Sequence, residues 1–542
     1  MTERTPPIPM IAGIPDPVLE GIAAGWDVTE ATDIAHGSIL EADVVIIGTG
    51  AGGGTSAEIL AESGLRVLML EEGPLKSTND FDMQEASAYH DLYQENAGRM
   101  SKDGAISILQ GRCVGGTTVI NWTSSFRTPE QTLEYWRDNF GVKSASKTEM
   151  APWFETMEKR LNISDWVIPP NENNAVLSRG SEKLGYHWKV IPRNVAGCWN
   201  TGYCGTGCPT NAKQSMLVTT IPAALNQNSG LIYSARAERL LFDGRKVIGV
   251  EVTALDGDYQ PSGTRFTVTA PRFVMSCGGI NGPALLKRSN APDPENRVGK
   301  RTFLHPVAFS FAEFENYVDP YYGAPQSIYS DHFQWLNVSG PAGYKLEATP
   351  LHPGLAGVLF MGHGKSHFEN MSRLANTNLL LALIRDGFDE RSQGADIDIA
   401  SDGSPIVDYP VNEYIWEGFQ RAMITMAEVQ FAAGAQKVRP AHMDAPWYES
   451  IDEARAGIMD LEFRSNAFVV GSAHVMGGLA MGEDKSQCVV DSNGKYHYLD
   501  NLYVFDGSIF PTSIGANPQL SVYGFSCKLA SQLATKISQG KA

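Results

Sequence analysis

Cysteine is scarce in this chain: seven among 542 residues, an odd number. That usage excludes a disulfide framework as the basis of the fold and suits a reducing compartment. Long apolar runs are missing too, since no stretch reaches the roughly 18 uninterrupted apolar residues of a membrane span. The opening MTERTPPIPMIAGIPDP lacks a basic segment followed by an apolar one, so no secretory leader is expected. Basic residues are outnumbered, 43 Lys and Arg against 61 Asp and Glu, and the net charge of −18 argues against nucleic acid or an anionic membrane as the main partner. Repeats, low-complexity tracts and long Gly-, Ser- or Pro-rich linkers are absent. What remains is a cytoplasmic protein, at most docked at a membrane surface. Its 542 residues exceed one core, so two or more lobes are expected, interleaved because no linker separates them.

What is present begins with residues 42–71, ADVVIIGTGAGGGTSAEILAESGLRVLMLE. Val44, Val45, Ile46 and Ile47 are a β-branched apolar run, the pattern of a parallel strand buried on both faces. Gly48, Gly50 and Gly53 then give G-x-G-x-x-G: a tight turn, a bare backbone against a diphosphate, and a close helix–strand crossing. Glu71 closes the next strand, eighteen residues after Gly53, where a carboxylate accepts from ribose hydroxyls and repels a 2′-phosphate. The unit predicts an α/β, Rossmann-like fold that binds FAD or NAD rather than NADP. Residues 1–41 read as an N-terminal extension with a short amphipathic helix near Pro17–Trp26, suited to covering a sheet edge or a partner surface.

A second glycine-rich segment, Gly111–Asn121 (GRCVGGTTVIN), lets backbone pass close to a flat ring. Together with the opening unit, its G-x-x-x-G-G-x-[ST]-x-x-N pattern resembles the first signature of the glucose–methanol–choline (GMC) oxidoreductases, flavoproteins that oxidise alcohols. The resemblance implies FAD, with Gly115, Gly116, Thr117 and Asn121 beside its isoalloxazine. Some members attach FAD through a histidine just before this asparagine; Ile120 stands there, so non-covalent FAD is expected. Ser276–Ser289 is similar to a degraded second signature, with Asn281 replacing the usual Ser or Thr, and Arg236–Val252 to the family's hairpin.

Near the C-terminus, residues 473–482 (AHVMGGLAMG) resemble the family's H-x-x-G-T-x-x-M-G, with Gly478 and Ala480 replacing its threonine and arginine. The match makes His474 the general base, which an imidazole titrating near neutrality would serve. Asn517 corresponds to the second catalytic position, where it would hydrogen-bond the substrate oxygen. Asn517 also reads as a helix N-cap and Pro518 as the first helical residue, turning the helix's positive end towards the flavin. Asp506 and Gly507 match the family's contact with the ribityl or diphosphate part of FAD.

Gly197–Pro209 (GCWNTGYCGTGCP) spaces Cys198, Cys204 and Cys208 as C-x5-C-x3-C-P. Such thiols can hold an iron–sulfur cluster or zinc, or serve as structural thiols or a disulfide. The spacing resembles FAD-dependent sugar and polyol dehydrogenases, which implies a [3Fe-4S] cluster passing electrons to a cytochrome or quinone; long-chain fatty alcohol oxidases also carry a cysteine-rich stretch here. Cys113, Cys277, Cys488 and Cys527 read as small buried hydrophobes, His305 as structural, and Trp122 and Phe126 as core or pocket wall.

The expected organisation is a FAD-binding domain from 42–130, 215–310 and 465–542, capped by the antiparallel sheet of a substrate lobe from 131–214 and 311–464. The expected reaction is oxidation of a primary or secondary alcohol, with electrons leaving to an external acceptor. An oxidase returning them to O2 is the alternative within that class. An NAD-dependent dehydrogenase and a non-catalytic flavin or iron–sulfur carrier are the rival classes.

Overall fold

The computed structural model describes residues 13–540, so part of the extension read at 1–41 lies outside the described residues. Six strands form an all-parallel sheet in the order Asp27–Glu30, Gly230–Tyr233, Val67–Leu70, Val44–Ile47, Arg272–Met275, Leu502–Val504. Val44–Ile47 and Val67–Leu70 are buried at every residue, as their unbroken apolar runs require of strands covered on both faces. The N-terminal segment supplies the outermost strand of two sheets. Helix Pro17–Ala23 is capped by Asp16, Asp27–Glu30 closes the parallel sheet, and Ile39–Glu41 joins the four-stranded sheet built on the hairpin Ala235–Asp243 and Lys246–Leu255.

Helix Ala51–Glu62 follows the glycine turn, and the C-terminal helix Gln519–Ser538 packs beside it. Helices Glu130–Phe140 and Lys147–Arg160 complete this layer, although the sequence boundary places them in the substrate lobe. Their apolar positions Leu133, Trp136, Phe140, Met150, Phe154 and Met157 recur at helical spacing and belong to the nucleotide-side core. Trp136 Nε1 donates to Thr512 Oγ1 at 2.7 Å, and the Phe154 ring occupies the space beside Gly524.

The second large sheet runs Ile106–Ile108, Val470–Ser472, Val307–Glu313, Thr377–Ile384, Tyr344–Ala348, Ile328–Ser330, Lys189–Val190, with Lys437–Pro440 also paired to Val307–Glu313. It is antiparallel except where Ile106–Ile108 meets Val470–Ser472. Those two strands, read from sequence as FAD-domain segments, therefore extend the capping sheet, so the lobes exchange strands at this seam. Strand alternation divides the sheet's residues. Ala308, Leu380, Ala382 and Ile384 face a core with helices Glu172–Leu184 and Glu413–Ala432, while Val307, Phe309, Leu381 and Leu383 form a separate apolar group with Trp122.

Candidate active site

A cavity of about 340 Å³ runs between the two sheets, lined by the glycine turn, the Gly111–Asn121 loop, the His474 and Asn517 segments, and Val307, Phe309, Leu381 and Leu383. Its nucleotide end explains each glycine separately. Gly48 has φ +94°, and a Cβ there would meet Ser276 O at 2.4 Å. At Gly53 a Cβ would lie 1.9 Å from Gly48 O, so the helix–strand crossing admits hydrogen alone. Gly50 has room: the nearest atom to an added Cβ is Gly116 Cα at 4.0 Å, and the methyl would fill the cavity. Bare backbone at a helix start, facing a cavity rather than packed, is what a diphosphate needs.

Glu71 also lines this end. Its Oε2 accepts from Thr49 N at 3.0 Å and Thr49 Oγ1 at 2.6 Å, and its Oε1 accepts from Gly73 N at 3.0 Å. Burial raises its pKa while these donors pull it back down. Arg112 and Arg288, which no motif marked, line the same cavity; Arg112 stacks on Tyr259 at 3.6 Å, and its Nε is buried without a hydrogen-bond partner among the described residues. The orphaned donor and the open glycine backbone fit an anionic dinucleotide.

Of the other expected cofactor contacts, Gly116, Thr117, Asn121, Asp506, Gly507 and Pro518 all line the cavity. Gly115 does not: it turns the chain at φ +93° and donates its N–H to Thr49 Oγ1 at 3.0 Å, tying the two glycine loops together. The Asp506 carboxylate is already engaged, accepting from Gly278 N and Ser508 N at 2.8 Å each, so it pins the start of helix Gly278–Arg288. Gly478 and Ala480 lie outside the cavity, and a Cβ on Gly478 would meet Thr302 Oγ1 at 2.7 Å, which accounts for the missing threonine. Cys277, expected as a buried hydrophobe, is half-buried on the cavity wall.

At the opposite end His474 and Asn517 line the same space. His474 Nδ1 lies 3.1 Å from Nδ1 of His305, which is fully buried. His305 is therefore not merely a strand end; it holds the imidazole by one nitrogen and leaves His474 Nε2 without a protein partner among the described residues. The near-neutral titration expected of His474 is not what its surroundings favour. Burial, then the charge of Lys345, push its pKa down to about 3, and His305 is also held well below the usual imidazole range. With both rings held towards the neutral form, one of the two facing nitrogens donates and the other accepts, according to the tautomer. The tautomer with the proton on His474 Nδ1 leaves Nε2 as an acceptor.

Asn517 is not the N-cap. The helix begins at Gln519 with Pro518 at the cap position, where Pro518 brings no capping side chain. The Asn517 amide is instead claimed by Lys345 and Glu347 of the strand Tyr344–Ala348, residues that no sequence motif marks. Lys345 Nζ donates to Asn517 Oδ1 at 2.9 Å, and Asn517 Nδ2 donates to Glu347 Oε2 at 3.1 Å. Phe126, read as core or wall, lies under the ammonium, 3.2 Å from Nζ to the ring centroid.

The cysteine loop lies behind the Gly111–Asn121 loop. Lys213 links them, donating to Asn121 O at 3.0 Å, to Cys204 O at 2.6 Å and to Val119 O, and burial lowers its pKa to about 8. Cys198, Cys204 and Cys208 line one small cavity, but no group of them is placed to hold a metal among the described residues. Each sulfur has another neighbour: Asn200 N to Cys198 at 3.4 Å, Arg193 Nη2 to Cys204 at 3.5 Å, Thr210 Oγ1 to Cys208 at 3.4 Å. All seven cysteines are free thiols, so the disulfide alternative is not realised either.

Residues 89–307 and 394–526 match the sequence models of the GMC oxidoreductases, over more than half of the sequence. The chain belongs to the GMC oxidoreductases. An uncharacterized GMC-type oxidoreductase of Mycobacterium tuberculosis (strain CDC 1551 / Oshkosh) is 29% identical over 92% of this chain and 77% of that protein. A long-chain-alcohol oxidase of Arabidopsis thaliana is 26% identical over 89% of this chain and 67% of its own length. Among solved structures, formate oxidase of Aspergillus oryzae RIB40, studied for FAD modification, superposes with a TM-score of 0.69 at 17% identity, covering 94% of this chain and 100% of that one. Family and fold support FAD as the cofactor of this GMC oxidoreductase, in the cradle whose glycines and orphaned Arg112 donor fit it. No helix among the described residues is long and apolar enough to cross a membrane.

Proposed function

We propose that this GMC oxidoreductase oxidises an apolar alcohol to its aldehyde or ketone. One observation carries the reading: an unpartnered imidazole nitrogen and an anchored amide face one cavity that also holds the dinucleotide cradle and an aliphatic wall. Bound FAD supplies the acceptor for the carbon-bound hydrogen. His474 takes the hydroxyl proton at Nε2. Asn517 donates from Nδ2 to the hydroxyl oxygen, so the alcohol is read as acceptor and donor at once. Val307, Phe309, Leu381, Leu383 and Trp122 exclude water around the carbon chain and favour an aliphatic or aromatic substituent over a polyol.

A long-chain-alcohol oxidase among the relatives favours O2 as the electron acceptor, and three separately engaged thiols give no support to a cluster relay. Anaerobic titration of the yellow holoprotein with primary alcohols of increasing chain length tests the reaction: bleaching should strengthen with chain length. Failure of every alcohol to bleach it would leave the carrier reading. Peroxide formed stoichiometrically on readmitting air identifies an oxidase, and turnover only with an artificial dye acceptor identifies a dehydrogenase.

A further inference from the structure

The strand Tyr344–Ala348 carries Lys345 and Glu347 two residues apart, on the sheet face turned towards Asn517. Both are almost completely buried, with side chains 2% and 0% exposed, and Nζ lies 2.8 Å from Glu347 Oε1. Burying an ion pair brings little net stability, because desolvation consumes most of the attraction. Hydrophobic residues would fill the position equally well, so a buried pair here calls for another explanation. Its surroundings supply one. The ammonium sits over Phe126 and, at 4.6 Å, over Tyr329, rings that meet edge to face at 4.9 Å. That cage holds it against the Asn517 amide.

An ammonium only donates and a carboxylate only accepts, so the two fix which way round the amide stands: Oδ1 to Lys345, Nδ2 to Glu347. Among the described residues no acceptor takes the second Nδ2 hydrogen, and Asn517 lines the cavity. We propose, resting on the alcohol-oxidising reading above, that Lys345 and Glu347 are a positioning pair. They hold Asn517 with an amide N–H presented to the substrate oxygen, and the ammonium seated on that amide sets a positive charge behind the wall of the cavity that His474 also lines. The other charged group acting on Lys345 is Asp331, and His305, the remaining titratable neighbour of His474, is neutral. The charge has the sign that favours negative charge developing on the alcohol oxygen, while it keeps His474 unprotonated by lowering its basicity.

The test uses FAD-loaded full-length protein and two readouts. Lys345→Met/Glu347→Gln removes both charges together, leaving neither orphaned. Lys345→Gln keeps a donor for Asn517 Oδ1 without the charge. Histidine NMR, with His474 assigned by its loss in His474→Ala, should show the His474 midpoint rising by about one pH unit in the double variant and by more in Lys345→Gln, which leaves the Glu347 carboxylate unpaired. Anaerobic flavin reduction should slow about 10²-fold in the double variant, through the rate rather than the apparent alcohol Kd, and several-fold less in Lys345→Gln. A midpoint unchanged in both variants overturns the electrostatic role, and equal rates in wild type and double variant overturn the positioning role. The NMR readout needs no substrate, so failure of the alcohol reading leaves it standing as a separate result.

Discussion

The two ends of the cavity are built from different materials. At the nucleotide end the cradle is chiefly backbone, with Glu71, Arg112 and Arg288 beside it, and the sequence advertises the glycines because only glycine meets the steric demand at Gly48 and Gly53. At the His474 end they are side chains brought from four separate stretches of chain, His305, Lys345 and Glu347, His474, and Asn517, and none carries a local sign of its partners. A site made of backbone is conspicuous in one dimension, whereas a site made of side chains is conspicuous only in three.

That contrast can be broken most severely at Gly53. Gly53→Val should give no soluble FAD-containing protein, because its Cβ would stand 1.9 Å from Gly48 O. Gly50→Ala is the informative partner: it should fold with an unchanged melting profile and lose FAD affinity, since its methyl meets only cavity. Equal damage from both would erase the distinction between packing and binding glycines. At the other end, His474→Ala should slow flavin reduction about 10²–10⁴-fold with FAD retained. Unaltered reduction would remove the base from the mechanism. The pH dependence of reduction sharpens the point: with His474 at about 3, the rate should be flat from pH 5 to 8, with no limb near the ordinary imidazole value.

A smaller effect concerns stability. His474 is depressed when folded and titrates near the ordinary value when unfolded, so the unfolded chain binds the extra proton between those pH values. Stability from this group is complete above about pH 6.5 and is lost as pH falls towards 3, at about 1.4 kcal/mol per pH unit. Denaturant midpoints at pH 7 and pH 5 should differ in that direction, and less in a His474→Gln protein. The smallest expected change is at the wall: Leu383→Ala should raise KM for a long alcohol about tenfold with little effect on a short one.

How much was legible follows the same division. The parallel sheet and the hairpin could be read because burial on two faces and glycine geometry leave marks in neighbouring residues. Which core helices Glu130–Phe140 and Lys147–Arg160 join was not legible, because an ordinary amphipathic pattern names a buried face but not the core it meets. The cap at Asn517 failed because a capping residue type followed by proline looks the same whether its side chain turns to the helix or, as here, to Lys345 and Glu347. The cysteine spacing suggested a ligand set, but loop geometry decides whether sulfurs converge, and spacing does not encode it.

Lys213 gives the cysteine loop a different significance. One ammonium gathers carbonyls from Val119, Asn121 and Cys204, so two loops that meet nowhere in sequence share a single fastening. A bulky adduct on Cys204 would strain that fastening from behind, and the cofactor-side loop would register it without any contact between reagent and cavity.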